Sequence, residues 1–125
     1  MNLIDKIPVL LVGDDERSNV GLQVLLSANP ETGDITFSKD GLSISEWIQQ
    51  NPEGLVILDD SVLNGNTITL LKEIKHTSVG IRAIVITPTY RQMPIVRKAG
   101  ADAVLLSGFV ADELSQAIHW AIEIS

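Results

Sequence analysis

Four short stretches of unbroken apolar residues, Val9 to Val12, Leu55 to Leu58, Ala83 to Ile86 and Ala103 to Leu106, constrain this chain more than any other feature. A strand with one wet face alternates apolar and polar residues, whereas a run that is apolar at every position must be covered on both faces. Such strands belong inside a parallel sheet with helices on either side. A fifth segment, Ile35-Thr36-Phe37, alternates and reads as a half-exposed edge strand.

Between these runs lie segments with helical period. Leu22, Leu25 and Leu26 stand at i, i+3 and i+4, and Ile44, Trp47 and Ile48 repeat that spacing. Leu70, Leu71 and Ile74 follow it approximately, while Leu114, Ala117, Ile118, Ala121 and Ile122 form the clearest stripe. Chain breakers fall between the elements, at Asn29-Pro30, Asn51-Pro52, Asn64-Gly65, Gly80, Thr87-Pro88, Gly100 and Gly108. The order is βαβαβαβαβα. Crossovers this short hold little besides a helix, so a three-layer open α/β sheet with right-handed connections is expected. Tyr90 to Ala99 reads as the weakest helix, short or beginning near Pro94, because a mid-helix proline removes a hydrogen bond. With 125 residues, 45% of them apolar and 20% charged, residues 1–125 read as a single domain.

Charge and cysteine content exclude several functions. Nine Lys and Arg against sixteen Asp and Glu give a net charge of −7, a field that repels nucleic-acid phosphates and anionic lipid headgroups. The chain has no cysteine, which removes disulfides, thiolate zinc sites and cysteine nucleophiles and fits a reducing compartment. The apolar stretch Ile7 to Val12 is too short for a signal-peptide core and runs into Asp14 and Asp15. A cytoplasmic protein that binds neither membrane nor nucleic acid directly is the expectation.

In open α/β sheets ligands collect beyond the carboxyl ends of the strands, where the strand order reverses. The first strand is followed there by Gly13-Asp14-Asp15-Glu16, the third by Asp59-Asp60-Ser61, the fourth by Thr87-Pro88-Thr89 and the fifth by Ser107-Gly108. If the order is 2-1-3-4-5, the first and third strands are neighbours about 4.8 Å apart, and Asp14, Asp15 and Asp59 converge. Three carboxylates in a small volume need either raised pKa values or a hard cation with oxygen ligands, such as Mg2+. The acidic turn argues against nucleotide or flavin binding, which asks for glycines and exposed backbone N–H groups after the first strand.

Val12-Gly13-Asp14-Asp15-Glu16, Leu55-Val56-Ile57-Leu58-Asp59, Ala83-Ile84-Val85-Ile86-Thr87 and Ala99-Gly100-Ala101-Asp102-Ala103, taken in order, resemble the receiver domain of two-component response regulators over essentially the whole chain. The resemblance implies a flavodoxin-like (βα)5 doubly wound parallel sheet of order 2-1-3-4-5. It also implies that Asp59 accepts a phosphoryl group from a histidine kinase or phosphotransfer protein, with Mg2+ held by Asp14, Asp15 and Asp59. Thr87 would be the switch hydroxyl that binds the phosphoryl group. Such a domain is a phosphoacceptor with at most self-catalysed transfer, not an enzyme in its own right. Chemically, a carboxylate can attack phosphorus only where metal charge and donors offset the meeting of two anions.

The departures from that pattern cluster around the switch. The family's Lys-Pro after the fifth strand is Ser107-Gly108, its glycine eight residues past the acceptor is Thr67, its Met-Pro after the acceptor is Val62-Leu63, and Val104 stands where many members carry an aromatic. Losing the Lys leaves a phosphodonor a less favourable field, by up to about 4 kcal/mol for one charge at 4 Å and an effective dielectric of 20. Two readings stay open. The domain accepts phosphoryl groups with Ser107 or a loop cation such as Arg91 replacing part of the lost charge, or it is a pseudo-receiver, an interaction module read without phosphorylation.

Other residues have plainer readings. Asp60 is the register-shifted rival of Asp59, with its side chain expected to point the other way. His76 and His119 fall on exposed helix positions without metal-ligand spacing. Trp47 shares the Ile44/Ile48 stripe and reads as core. Trp120 lies off the buried stripe of the last helix and pairs with Ile124 at i+4, which suggests a homodimer or effector patch there.

Overall fold

The structure, a computed structural model, describes residues 6–13, 20–38, 44–61, 63 and 65–124. The elements run β1 (Ile7–Val12), α1 (Val20–Ala28), β2 (Thr32–Ser38), α2 (Ile44–Gln50), β3 (Leu55–Asp59), α3 (Thr67–Thr77), β4 (Arg82–Thr87), a 3-10 turn (Tyr90–Gln92), α4 (Met93–Lys98), β5 (Ala103–Leu106) and α5 (Ala111–Ile124). The five strands form one sheet in the order β2-β1-β3-β4-β5, with every neighbouring pair parallel. This is the expected flavodoxin-like order.

The unbroken apolar runs divide cleanly by parity. Leu10, Val12, Val56, Leu58, Ala83, Val85 and Val104 face one core with Ile44, Ile48, Leu71, Ile74 and Val96 of α2, α3 and α4. Val9, Leu11, Leu55, Ile57, Ile84, Ile86, Ala103 and Leu105 face the other with Leu26 of α1 and Leu114, Ala117, Ile118 and Ala121 of α5. Successive strand residues point to opposite faces, so each run had to be apolar throughout to serve both cores. Burying a Leu or Ile side chain contributes about 1.5–3 kcal/mol, which makes these two layers the main source of stability.

One boundary differs from the sequence reading. β2 begins at Thr32 rather than near Ile35, because Thr32 is buried and its hydroxyl donates to the Leu26 and Asn29 carbonyls. Local side-chain bonding thus extends a strand through residues of low strand propensity. α4, by contrast, is short and begins at Met93 as expected, with Pro94 in its first turn, where no intrahelical N–H is required. Trp47 packs against the α2–α4 core as expected, and its ring requires Gly54: a Cβ there would lie 2.5 Å from Cη2.

At the amino end of β4 one ion pair joins three elements. Lys75 Nζ of α3 donates to Asp102 Oδ2 at 2.6 Å and to the Ile81 carbonyl at 2.9 Å. The same Asp102 oxygen accepts from the buried Ala83 N–H at 2.8 Å. The two side chains are 26% and 22% exposed, so the charge interaction is partly screened while the Ala83 bond is not. Asp102→Ala is therefore expected to lower stability by about 2 kcal/mol, chiefly by orphaning that N–H, and Lys75→Met by about 1 kcal/mol or less. Urea unfolding checks the ranking, and a larger loss for Lys75→Met would contradict it.

Candidate functional site

The carboxyl ends of β1, β3, β4 and β5 are stitched together beyond the last strand residues. Val12 of β1 pairs with Leu58 of β3, which brings Gly13 level with Asp59. Asp60 N donates to Ile86 O and Ser107 N to Thr87 O, each at 2.8 Å, and Gly13 N donates to Ser38 O at 2.9 Å. Gly13 and Gly108 turn the chain there with φ of 114° and 88°, conformations that a side chain disfavours. Asp59, Thr87 and Ser107 consequently share one edge, as the strand-end reading expects. Asp14 and Asp15, the other expected metal ligands, lie outside the described residues, as does Val62.

Asp59 is half-buried at the end of β3. Its Oδ1 accepts from Ser61 N at 3.1 Å and from Ser61 Oγ at 2.7 Å, an Asx-type turn that leaves the second oxygen outside those bonds. Ser61 is exposed, so these bonds compete with water. A carboxylate at this edge is a hard oxygen donor of the kind Mg2+ takes, and the residues that follow Gly13 in sequence are acids. Among the described residues no cluster of three or more His, Cys, Asp or Glu side chains could hold a metal.

Thr87 is fully buried, and its hydroxyl donates to Asp60 Oδ2 at 3.2 Å rather than to Asp59. The other Asp60 oxygen accepts from Thr67 Oγ1, the first residue of α3, at 2.5 Å. Thr67 is 2% exposed. Parity accounts for the arrangement. Leu58 pairs with Val85, and two residues further along each strand Asp60 and Thr87 fall on the face that α3 covers. The expectation that Asp60 points away from Asp59 therefore carries a consequence for Thr87, which follows Asp60. Thr67, noted in the sequence only as a departure, is the third member of this cluster.

The remaining candidates lie elsewhere. Ser107 and Arg91 are exposed. His76 and His119 are exposed as expected, and His119 Nδ1 stands 3.5 Å from Glu31 Oε1. Trp120 is 57% exposed and borders a groove of about 520 Å3 with Glu31, Asp112, Ser115, Gln116 and His119. The Ile124 side chain lies outside the described residues. No helix among the described residues is long and apolar enough to cross a membrane.

No protein-family model matches the chain, and no curated protein does. Solved structures do. The signal receiver domain of the response regulator NarL from Mycobacterium tuberculosis superposes with a TM-score of 0.81 at 16% identity, covering 97% of this chain and 99% of that one. The response regulator domain of CheB from Thermotoga maritima gives 0.77 at 24% identity, with 97% and 99% covered. A response regulator receiver domain protein from Clostridium thermocellum gives 0.78 at 21%, with 94% of each chain covered. The chain has the receiver-domain fold. Within that fold, two hydroxyls on buried threonines converge on Asp60, beside Asp59. Thr67→Val, which removes one hydroxyl without changing shape, is expected to cost about 1–2 kcal/mol in urea unfolding, whereas Ser61→Ala on the exposed side of the site costs under about 0.5 kcal/mol. Equal effects would mean that burial does not separate the two bonds.

Proposed function

We propose that this chain is a response regulator receiver domain of two-component signalling that accepts a phosphoryl group on Asp59. The supporting observation is the position of Asp59 at the carboxyl end of the central strand of a receiver-fold sheet, paired with Ile86 just before Thr87 on β4 and level with Gly13 at the end of β1. An Asp59 carboxylate oxygen would attack phosphorus, forming a P–O bond as the donor's P–N or P–O bond breaks and its leaving group takes up a proton or remains as the free anion. Asp14, Asp15 and Asp59 would hold Mg2+, whose charge offsets the approach of two anions. The donor would be a phosphohistidine on a kinase or phosphotransfer protein, or a small acyl phosphate. The exposed Trp120 on α5 is the candidate contact for an effector or a second copy. The pseudo-receiver reading keeps one specific support, Ser107 in the place of the family's Lys.

Incubation with acetyl phosphate and Mg2+, followed by intact mass measurement, is expected to give one phosphoryl adduct that is absent in Asp59→Asn and without Mg2+. No adduct on the intact chain would favour the pseudo-receiver. Ser107→Lys returns a cation to the end of β5 and is expected to speed adduct formation by about tenfold, equivalent to about 1.4 kcal/mol, within the Coulombic bound of about 4 kcal/mol.

A further inference from the structure

We propose that Asp60 is a positioning residue that holds the Thr87 hydroxyl toward α3 and thereby restrains phosphoryl acceptance at Asp59; the proposal rests on the phosphoacceptor reading above. A threonine hydroxyl has one hydrogen to give. An ionised carboxylate only accepts, so both hydroxyls donate to Asp60: Thr67 Oγ1 to Oδ1 at 2.5 Å and Thr87 Oγ1 to Oδ2 at 3.2 Å. Bonds of this kind, with a charged acceptor, are stronger than neutral ones. Water is a poor substitute, because Thr87 is 0% and Thr67 2% exposed. Asp60 is itself fixed by its N–H, which donates to Ile86 O at 2.8 Å. One carboxylate therefore ties the ends of β3 and β4 to the first turn of α3.

That arrangement opposes activation in two ways. For Thr87 to donate to a phosphoryl oxygen on Asp59, its bond to Asp60 has to break first, and the longer of the two Asp60 bonds is the one that has to yield. A second negative charge also stands one residue from the acceptor, where it repels an incoming phosphodonor. The phosphoryl group and Asp60 compete for the same proton, and the shorter Thr67 bond keeps Asp60 in place to recapture Thr87 when the phosphoryl group leaves.

Two measurements on the full chain test this. In a urea double-mutant cycle, Asp60→Ala and Thr87→Val are expected to be coupled by about tenfold in the unfolding constant. With acetyl phosphate and Mg2+, Asp60→Ala is expected to raise the initial rate of adduct formation on Asp59 about tenfold, and only about threefold, the part due to charge alone, when Thr87 is already Val. Asp60→Asn, which keeps the shape and loses the charge, serves if the alanine variant does not fold and is expected to give about a threefold rise. Additive effects in urea overturn the proposal. So does an unchanged adduct rate in a chain that is phosphorylated, and so does a rise that persists in full without the Thr87 hydroxyl. An adduct seen only after Asp60 is replaced supports it. Absence of adduct from every variant overturns the phosphoacceptor reading and the restraint together, whereas an unchanged rate removes the restraint alone.

Discussion

A parallel sheet covered on both faces leaves little of its surface free for chemistry. Val9 to Val12 of β1, Leu55 to Leu58 of β3, Ala83 to Ile86 of β4 and Ala103 to Leu105 of β5 are all committed to one of two apolar layers, so the polar side chains beyond these runs gather where the strands end. In this chain the carboxyl ends of β1, β3, β4 and β5 are brought level by the pairing of Val12 with Leu58, Leu58 with Val85 and Val85 with Val104. The location of the site is thus a consequence of how the core is packed. The backbone bonds from Asp60 to Ile86 and from Ser107 to Thr87 extend the sheet just past its apolar part and fix the polar residues relative to one another.

The same two-residue period decides which polar groups meet. Asp59 and Asp60 are adjacent in sequence yet serve different partners. Asp59 turns back on the exposed Ser61, while Asp60 reaches the buried hydroxyls of Thr67 and Thr87. The two carboxylates consequently differ in how freely they exchange partners. Asp59 can give up its Ser61 bonds to water at little cost, as a reactive carboxylate must. Releasing Thr87 or Thr67 from Asp60 leaves a buried hydroxyl without a partner, at a cost of about 1–3 kcal/mol each.

Much of this is legible in the sequence. The unbroken apolar runs specified the strands, their interiors and the parallel arrangement, and Asp59, Thr87 and Ser107 followed as strand-end residues. What was less legible has identifiable causes. The first half of β2, Thr32-Gly33-Asp34, has no strand pattern because hydrogen bonds at Thr32, not burial of alternate side chains, hold it in place. The tie between Asp60 and Thr87 required the register between β3 and β4, which hydrophobic pattern alone leaves undetermined. The pairing of Leu58 with Val85 is what makes Asp60 and Thr87 neighbours on one face. Thr67 gave no signal of its own, since a threonine at a helix start is common and its partner lies seven residues away.

The departures at Thr67 and Ser107 act in the same direction. A glycine at the start of α3 offers Asp60 no hydroxyl, and a lysine at the end of β5 would counter one of the carboxylates. With Thr67 present, Asp60 gains a buried donor that keeps its charge inside the site. With Ser107 present, that charge is not offset from β5. In the proposed phosphoacceptor reading, a donor approaching Asp59 would then meet a second carboxylate one residue away, with no cation from β5 to offset it. Such a site favours its unmodified state more than one with Gly and Lys at those positions. Under the proposed phosphoacceptor reading, removing or neutralising the charge on Asp60 would ease phosphoryl acceptance at Asp59.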